Sequence, residues 1–164
     1  SISPMIICEY ITSMKQDTSS NMKVLGTAAL HALANIVSIP TQIDTEMYEY
    51  QLNIIKKCGG IKYIYQLMKS PDDELRFSAF NFTNEITKQL WGLNIVYKCP
   101  GLFEYLSNRD QHDIMLALQW KYAIMESIFR NKNMNTILDK IHKNQLITFI
   151  QDGVVFKPNQ NRYN

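Results

Sequence analysis

Hydrophobic and polar residues alternate along much of the chain with the spacing of amphipathic helices. Within residues 49–88, a first apolar helix stops at Gly59 and Gly60, because glycine readily takes the positive φ that ends a helix. A short second helix is predicted over residues 61–69. A long third helix is predicted after Pro71, because proline suits a first helical turn and the carboxylates that follow favour the helix's positive end. This segment therefore predicts a unit of three helices.

The pattern of the long helix occurs a second time, nearer the start of the chain. Residues 21–37, NMKVLGTAALHALANIV, align with it when displaced by 53 residues, which places Leu33 on Ile86. That displacement exceeds the roughly 40–47 residues of a standard helical repeat unit. The excess is expected in the connection over residues 38–45, where Pro40 breaks the helix.

A third long helix is predicted over residues 111–130, QHDIMLALQWKYAIMESIFR. Asn108 or Asp110 is expected to cap its start, with Asp113 in the first turn. Its apolar stripe is predicted to contain Ile114, Leu118, Tyr122, Met125 and Phe129.

Long helices separated by shorter ones predict an all-α fold in which units stack, because one unit cannot bury its apolar face alone. We expect helical repeats over residues 1–152, in units of roughly 1–40, 41–90 and 91–152, and an extended tail over residues 153–164. The stripe residues expected to be buried are Leu33, Ile64, Leu67, Phe77, Phe82, Ile86, Leu118, Tyr122 and Met125.

The core of the first long helix, ALHALANIV, resembles the Ala-Leu-x-Ala-Leu-x-Asn-Ile pattern of armadillo repeats. The resemblance implies an all-α armadillo/HEAT-like helical repeat solenoid. In that family the third helix of each unit lines a concave groove, where an Asn commonly engages the partner's backbone.

Carried onto this chain, the partner-binding role falls to Asn35, with His31 one turn earlier where the family often has Trp. In the next unit the displacement of 53 residues selects Asn84 and Lys88. The alternative is that these residues are only solvent-facing polar positions. A shift of the alignment by three residues selects instead Asn81 and Glu85.

Composition narrows the class of protein. With 46% hydrophobic residues and a net charge of +2, the chain is neither disordered nor charged enough for a nucleic-acid electrostatic footprint. No run approaches the roughly 18 apolar residues of a membrane span. Cys8, Cys58 and Cys99 are odd in number and far apart, which predicts reduced thiols in cytosol or nucleus rather than a zinc site or a redox dithiol.

The sequence contains no pattern typical of catalysis. His31, His112 and His142 are far apart, and no G-x-S-x-G elbow, phosphate-binding glycine loop or H-E-x-x-H pair occurs. We therefore predict no enzyme activity, no cofactor and no metal. The aromatic residues could suggest RNA stacking, but most fall at helical spacing among Ile, Leu and Met, which favours packing.

Four runs occur in an order and spacing that resemble the C-terminal part of the 26S proteasome non-ATPase regulatory subunit 5 family. They are DDELRFSAFNFTNEITKQLWG, KCPGLFEYLSNRDQHD, WKYAIMESI and GVVFKPN, over about residues 72–158. The resemblance implies a cytoplasmic or nuclear chaperone of regulatory-particle assembly. Such a chaperone binds the C-terminal domain of an AAA ATPase subunit of the base and masks it sterically, with no nucleotide, metal, nucleic acid or membrane needed. The alternative is a generic armadillo-type adaptor that binds a peptide or protein partner in its concave groove.

Overall fold

The structure is a computed structural model that describes residues 3–38 and 45–156. Helices joined by short connections make up these residues, and no β-strand occurs among them, so the all-α prediction is confirmed. In chain order the helices are α1 (Pro4–Ser13), α2 (Ser20–Val37), α3 (Thr45–Lys57), α4 (Ile61–Leu67), α5 (Asp73–Thr87), α6 (Leu90–Lys98), α7 (Leu102–Ser107), α8 (Met115–Arg130), α9 (Met134–Ile137) and α10 (Lys140–Asp152).

The end of α3 and the start of α5 lie where the sequence predicts them, but α4 ends at Leu67 rather than at residue 69, and Pro71 precedes the N-cap of α5 instead of lying in its first turn. Gly59 and Gly60 follow α3 with φ angles of 98° and 84°, which a residue with a Cβ rarely adopts. Asp72 caps α5, because its carboxylate accepts a hydrogen bond of 3.0 Å from the backbone N–H of Leu75. The predicted break at Pro40 and the predicted tail beyond residue 156 lie outside the described residues.

The three long helices α2, α5 and α8 pack side by side in chain order, with α5 in contact with both others. Their buried positions recur at displacements of 53 residues from Leu33 to Ile86 and 42 residues from Ile86 to Ile128. One hydrophobic cluster runs from Cys8 to Phe149 across the shorter helices packed on them. The equivalent buried sets are Gly26, Ala79 and Lys121; Ala29, Phe82 and Ile124; and Leu33, Ile86 and Ile128.

Residues of the elements that follow α5 contact its carboxyl-terminal end. Asn131, buried just after α8, donates from Nδ2 to the carbonyl oxygen of Thr87 over 2.8 Å. Gly92 in α6 lies so close to α5 that a Cβ there would meet the carbonyl oxygen of Ile86. These two contacts fix how α6 and α8 leave the end of α5.

The predicted start of the third long helix is wrong. The helix begins at Met115 rather than at residue 111, and its N-cap Ile114 has no capping side chain. Asp110 instead accepts a hydrogen bond of 2.9 Å from the backbone N–H of His112, which forms a local turn. Asp113 therefore precedes the helix instead of lying in its first turn.

The predicted apolar stripe of this helix is also wrong by one residue. Ile114 and Phe129 are exposed, and Leu118 and Tyr122 are only half-buried. The buried residues of α8 are Ala117, Lys121, Ile124, Met125 and Ile128. Of the other stripe predictions Phe77 is half-buried, whereas burial is confirmed for Leu33, Ile64, Leu67, Phe82, Ile86 and Met125.

A buried lysine explains the shifted stripe. Lys121 is only 2% exposed, and its ammonium donates to Asp113 Oδ2 over 2.6 Å and to the carbonyl oxygen of Asn108 over 3.1 Å. The same ammonium lies 4.2 Å from the centroid of the Tyr105 ring. A buried charge requires such partners, so Lys121 occupies a core position while holding the segment that precedes α8.

We expect Phe82→Ala to lower the free energy of unfolding by about 3–5 kcal/mol, because the lost ring leaves a cavity in a fully buried site. Urea denaturation measures the change. The matched control is Phe129→Ala in α8, where the ring is 40% exposed and the loss should be clearly smaller. Equal losses for the two variants would contradict the placement of Phe82 in the core.

Asp113→Asn should lower the free energy of unfolding by about 2–4 kcal/mol, because the Lys121 ammonium then stays buried without its counter-charge. The control is Asp73→Asn, which removes the carboxylate of an exposed pair with Arg76 and should cost less than about 1 kcal/mol. Similar losses in parallel urea titrations would show that the Asp113 pair is not a buried interaction.

Candidate partner-binding face

The long helices expose a row of polar side chains on the side away from the core. Helical periodicity places Asn35 one turn beyond His31, and the displacements between helices repeat this pair in α5 and in α8. We call this surface the polar face. Its members are His31, Asn35, Asn81, Asn84, Glu85, Lys88, Glu126, Ser127 and Arg130.

Two hydrogen bonds cross between neighbouring long helices on the polar face. The side-chain amide of Asn81 donates from Nδ2 to Nδ1 of His31 over 3.1 Å, which joins α5 to α2. The hydroxyl of Ser127 donates to Oδ1 of Asn84 over 2.7 Å, which joins α8 to α5. Both bonds fix the relative positions of groups that a partner would contact.

The charged residues of the polar face pair within their own helices. Lys88, exposed at the end of α5, donates from Nζ to Glu85 Oε1 over 2.6 Å. Arg130 at the end of α8 pairs with Glu126 over 2.8 Å. Each cation lies at the carboxyl-terminal end of its helix, where the helix dipole favours positive charge. The charges therefore largely cancel within each helix.

The four predicted site residues lie on the polar face, three of them exposed and Asn84 half-buried. Both versions of the alignment select residues of this face, because Asn81 and Glu85 lie beside Asn84 and Lys88 along α5. The structure brings His31 to Asn81 and Asn84 to Ser127. No hydrogen bond or ion pair joins any two of the four predicted residues within the described ranges.

Sequence reasoning missed the part of the polar face on α8. The displacement of 42 residues from Asn84 and Lys88 selects Glu126 and Arg130. This displacement can be found in the sequence. Because the predicted apolar stripe of α8 was shifted by one residue, Glu126 and Arg130 were not recognised as the equivalents of Asn84 and Lys88. Ser127 has no such signal, because its role depends on how closely α8 approaches α5.

A shallow apolar depression of about 430 Å³ opens beside His31, between the first halves of α2 and α5. Val24 in its wall is 65% exposed, and the carboxylate of Glu74 forms no ion pair within the described residues. The depression gives this end of the polar face a place for an apolar side chain of a partner. Its lining is Val24, Thr27, Ala28, His31, Glu74 and Phe77.

Two kinds of feature are absent from the described part of the chain. In residues 3–38 and 45–156, no group of three or more His, Cys, Asp or Glu side chains is placed to hold a metal ion. No helix among these same residues is long and apolar enough to cross a membrane.

Comparison with known families gives a match over nearly the whole chain. Residues 8–160 match the model of a family described as the proteasome non-ATPase 26S subunit. The chain belongs to this family. The match includes the whole polar face from His31 to Arg130, and it links the protein to the proteasome. Neither the comparison with curated proteins nor that with solved structures gave a match.

The bond between Asn84 and Ser127 should be measurable as a coupling energy. A double-mutant cycle of Asn84→Ala and Ser127→Ala is expected to give about 0.5–1.5 kcal/mol in urea unfolding, because the bond is partly shielded from water. The exposed Arg130 and Glu126 pair serves as the control, with an expected coupling of about 0.3–0.5 kcal/mol. Additive effects of the first two substitutions would contradict a persistent bond.

Proposed function

We propose that this chain is a protein-binding chaperone for assembly of the 26S proteasome regulatory particle, similar to non-ATPase regulatory subunit 5. Two observations support the proposal. The first is membership of a proteasome non-ATPase family over residues 8–160. The second is the polar face, which extends over three consecutive long helices.

We further propose an armadillo/HEAT-like solenoid with units near residues 1–40, 41–90 and 91–152. The support is the recurrence of buried positions at displacements of 53 and 42 residues in the long helices. The second of these lies within the range of roughly 40–47 residues for standard units. Stacked units of this kind offer an extended surface rather than a closed pocket.

The proposed mechanism is steric masking of an AAA ATPase subunit of the proteasome base, bound through that subunit's C-terminal domain. The observation that carries it is the repetition of polar pairs at equivalent positions of one family-matched surface: His31 and Asn35, Asn84 and Lys88, Glu126 and Arg130. Masking requires a large contact area and does not make or break covalent bonds. The chaperone itself therefore needs no catalytic group, nucleotide or metal. Its proposed location is the cytoplasm or the nucleus.

One observation favours the alternative of a generic adaptor that holds an extended peptide. The apolar depression beside His31 has the form of a pocket for a single side chain, with Val24 and Phe77 in its lining. An adaptor would use this depression as its main anchor. The chaperone would use it as one end of a broader contact.

The polar face is tested by a pull-down of purified base ATPase subunits with the tagged chain. We expect the double variant Asn35→Arg, Lys88→Glu to bind at least about tenfold more weakly, a loss of about 1.4 kcal/mol, because both changes alter exposed groups of the face. The free energy of unfolding should fall by only about 0.5–1.5 kcal/mol, because Lys88→Glu removes an exposed pair with Glu85 and places an anion at the carboxyl-terminal end of α5.

Lys62→Glu supplies the matched control, because Lys62 is exposed on the short helix α4, which contributes no residue to the polar face. It should leave ATPase binding unchanged. Equal retention by the double variant and the wild type would place the binding surface elsewhere. Failure of the wild-type chain to retain any ATPase subunit would remove the chaperone assignment for this chain.

A further inference from the structure

Two cysteines that the sequence places far apart are in contact in the structure. Cys8 in α1 and Cys58 just after α3 are separated by 50 positions, yet their sulfur atoms lie 2.9 Å apart. Both side chains are 0% exposed. The spacing of these residues along the chain did not indicate the contact. All three thiols are free, and Cys99 is buried elsewhere with no thiol beside it in the described residues.

The two thiols have different hydrogen-bond roles. Cys58 donates its S–H to the sulfur of Cys8, and Cys8 donates to the carbonyl oxygen of Ile54 over 3.6 Å. The bond from Cys58 lowers the pKa of Cys8, an effect that burial opposes and that Lys57 reinforces. Hydrogen bonding to Cys8 and burial both raise the pKa of Cys58. Cys8 is therefore the thiol of the pair that ionises more readily to the reactive thiolate.

We propose that Cys8 and Cys58 are a dithiol modification site that a peroxide oxidises to a reversible disulfide between α1 and the end of α3. The sulfur atoms need to approach by only roughly 0.9 Å from 2.9 Å to reach the disulfide bond length. The proposal is independent of any partner of the polar face.

The reaction balances with hydrogen peroxide as the oxidant. The Cys8 thiolate attacks one peroxide oxygen, the O–O bond breaks, and the released hydroxide takes up the Cys8 proton to give water. Cys8 is then a sulfenic acid. The sulfur of Cys58 attacks the sulfur of Cys8, the S–S bond forms, the S–O bond breaks, and the hydroxyl group leaves with the Cys58 proton as a second water. Two thiols are oxidised and one peroxide is reduced.

The position of the two cysteines in the fold determines how peroxide reaches them and which part of the chain a disulfide would enclose. Cys8 lies in α1, a helix of ten residues that packs on α2 and α3, and its sulfur contacts that of Cys58 just after α3. Helices of native proteins open locally and reclose, so peroxide can reach the pair when α1 opens in this way. The disulfide would then enclose α2, which carries His31 and Asn35, within a covalent loop.

The test treats the reduced, full chain with hydrogen peroxide under native conditions, followed by intact-mass and peptide mass spectrometry. We expect loss of two hydrogen atoms, a cross-linked peptide that contains Cys8 and Cys58, and reversal by dithiothreitol. This disulfide should form at least about tenfold faster than any disulfide that involves Cys99, because only the first pair is in contact. The melting temperature of the oxidised chain should rise, because the cross-link restrains the unfolded chain.

Three variants complete the design. Cys99→Ala should form the disulfide at the same rate as the wild type. Any intramolecular disulfide in Cys8→Ala or Cys58→Ala should form much more slowly than the disulfide of the wild type. The peptide map of the wild type needs no variant, so the test holds even where a cysteine substitution lowers stability. Persistence of all three thiols in the native chain, a disulfide that forms only after unfolding in urea, or one that joins Cys99 would overturn the proposal.

Discussion

The structure depends on the packing of α5 between α2 and α8. Phe82 and Ile86 lie on the buried side of α5, and neither flanking helix could cover them alone, since an amphipathic helix needs neighbours along its whole apolar stripe. Equivalent residues such as Ala29 and Ile124 then face the same core. Burial of this stripe determines, by helical periodicity, which side chains remain for the polar face. The core and the candidate site therefore share one constraint.

Sequence patterns predicted the parts of the fold that depend on local chemistry. Gly59, Gly60 and Asp72 determine helix ends through backbone conformation and capping, which act within a few residues. The register of α8 could not be predicted in this way. Lys121 looks polar in the sequence, yet the structure buries it against Asp113 and the carbonyl oxygen of Asn108. A buried charge with partners in a preceding loop has no periodic signal.

The candidate site was also predicted from the sequence only in part. Alignment of the long helices placed His31 and Asn84 on one face, because a displacement of 53 residues relates equivalent positions of α2 and α5. The bonds of His31 to Asn81 and of Asn84 to Ser127 could not be predicted, since they depend on the distance and angle between helices. The contact between Cys8 and Cys58 is hidden for the same reason.

The electrostatics of the polar face bear on how a partner would be recognised. Lys88 and Arg130 are neutralised by Glu85 and Glu126, and the chain as a whole carries a net charge of only +2. Long-range attraction would then contribute little to association, because steering requires a field of one sign. Recognition would rest on shape and on hydrogen bonds from neutral groups already held in position. Under the proposed masking function, such a surface discriminates through the fit of its partner, and salt concentration has little effect on its binding.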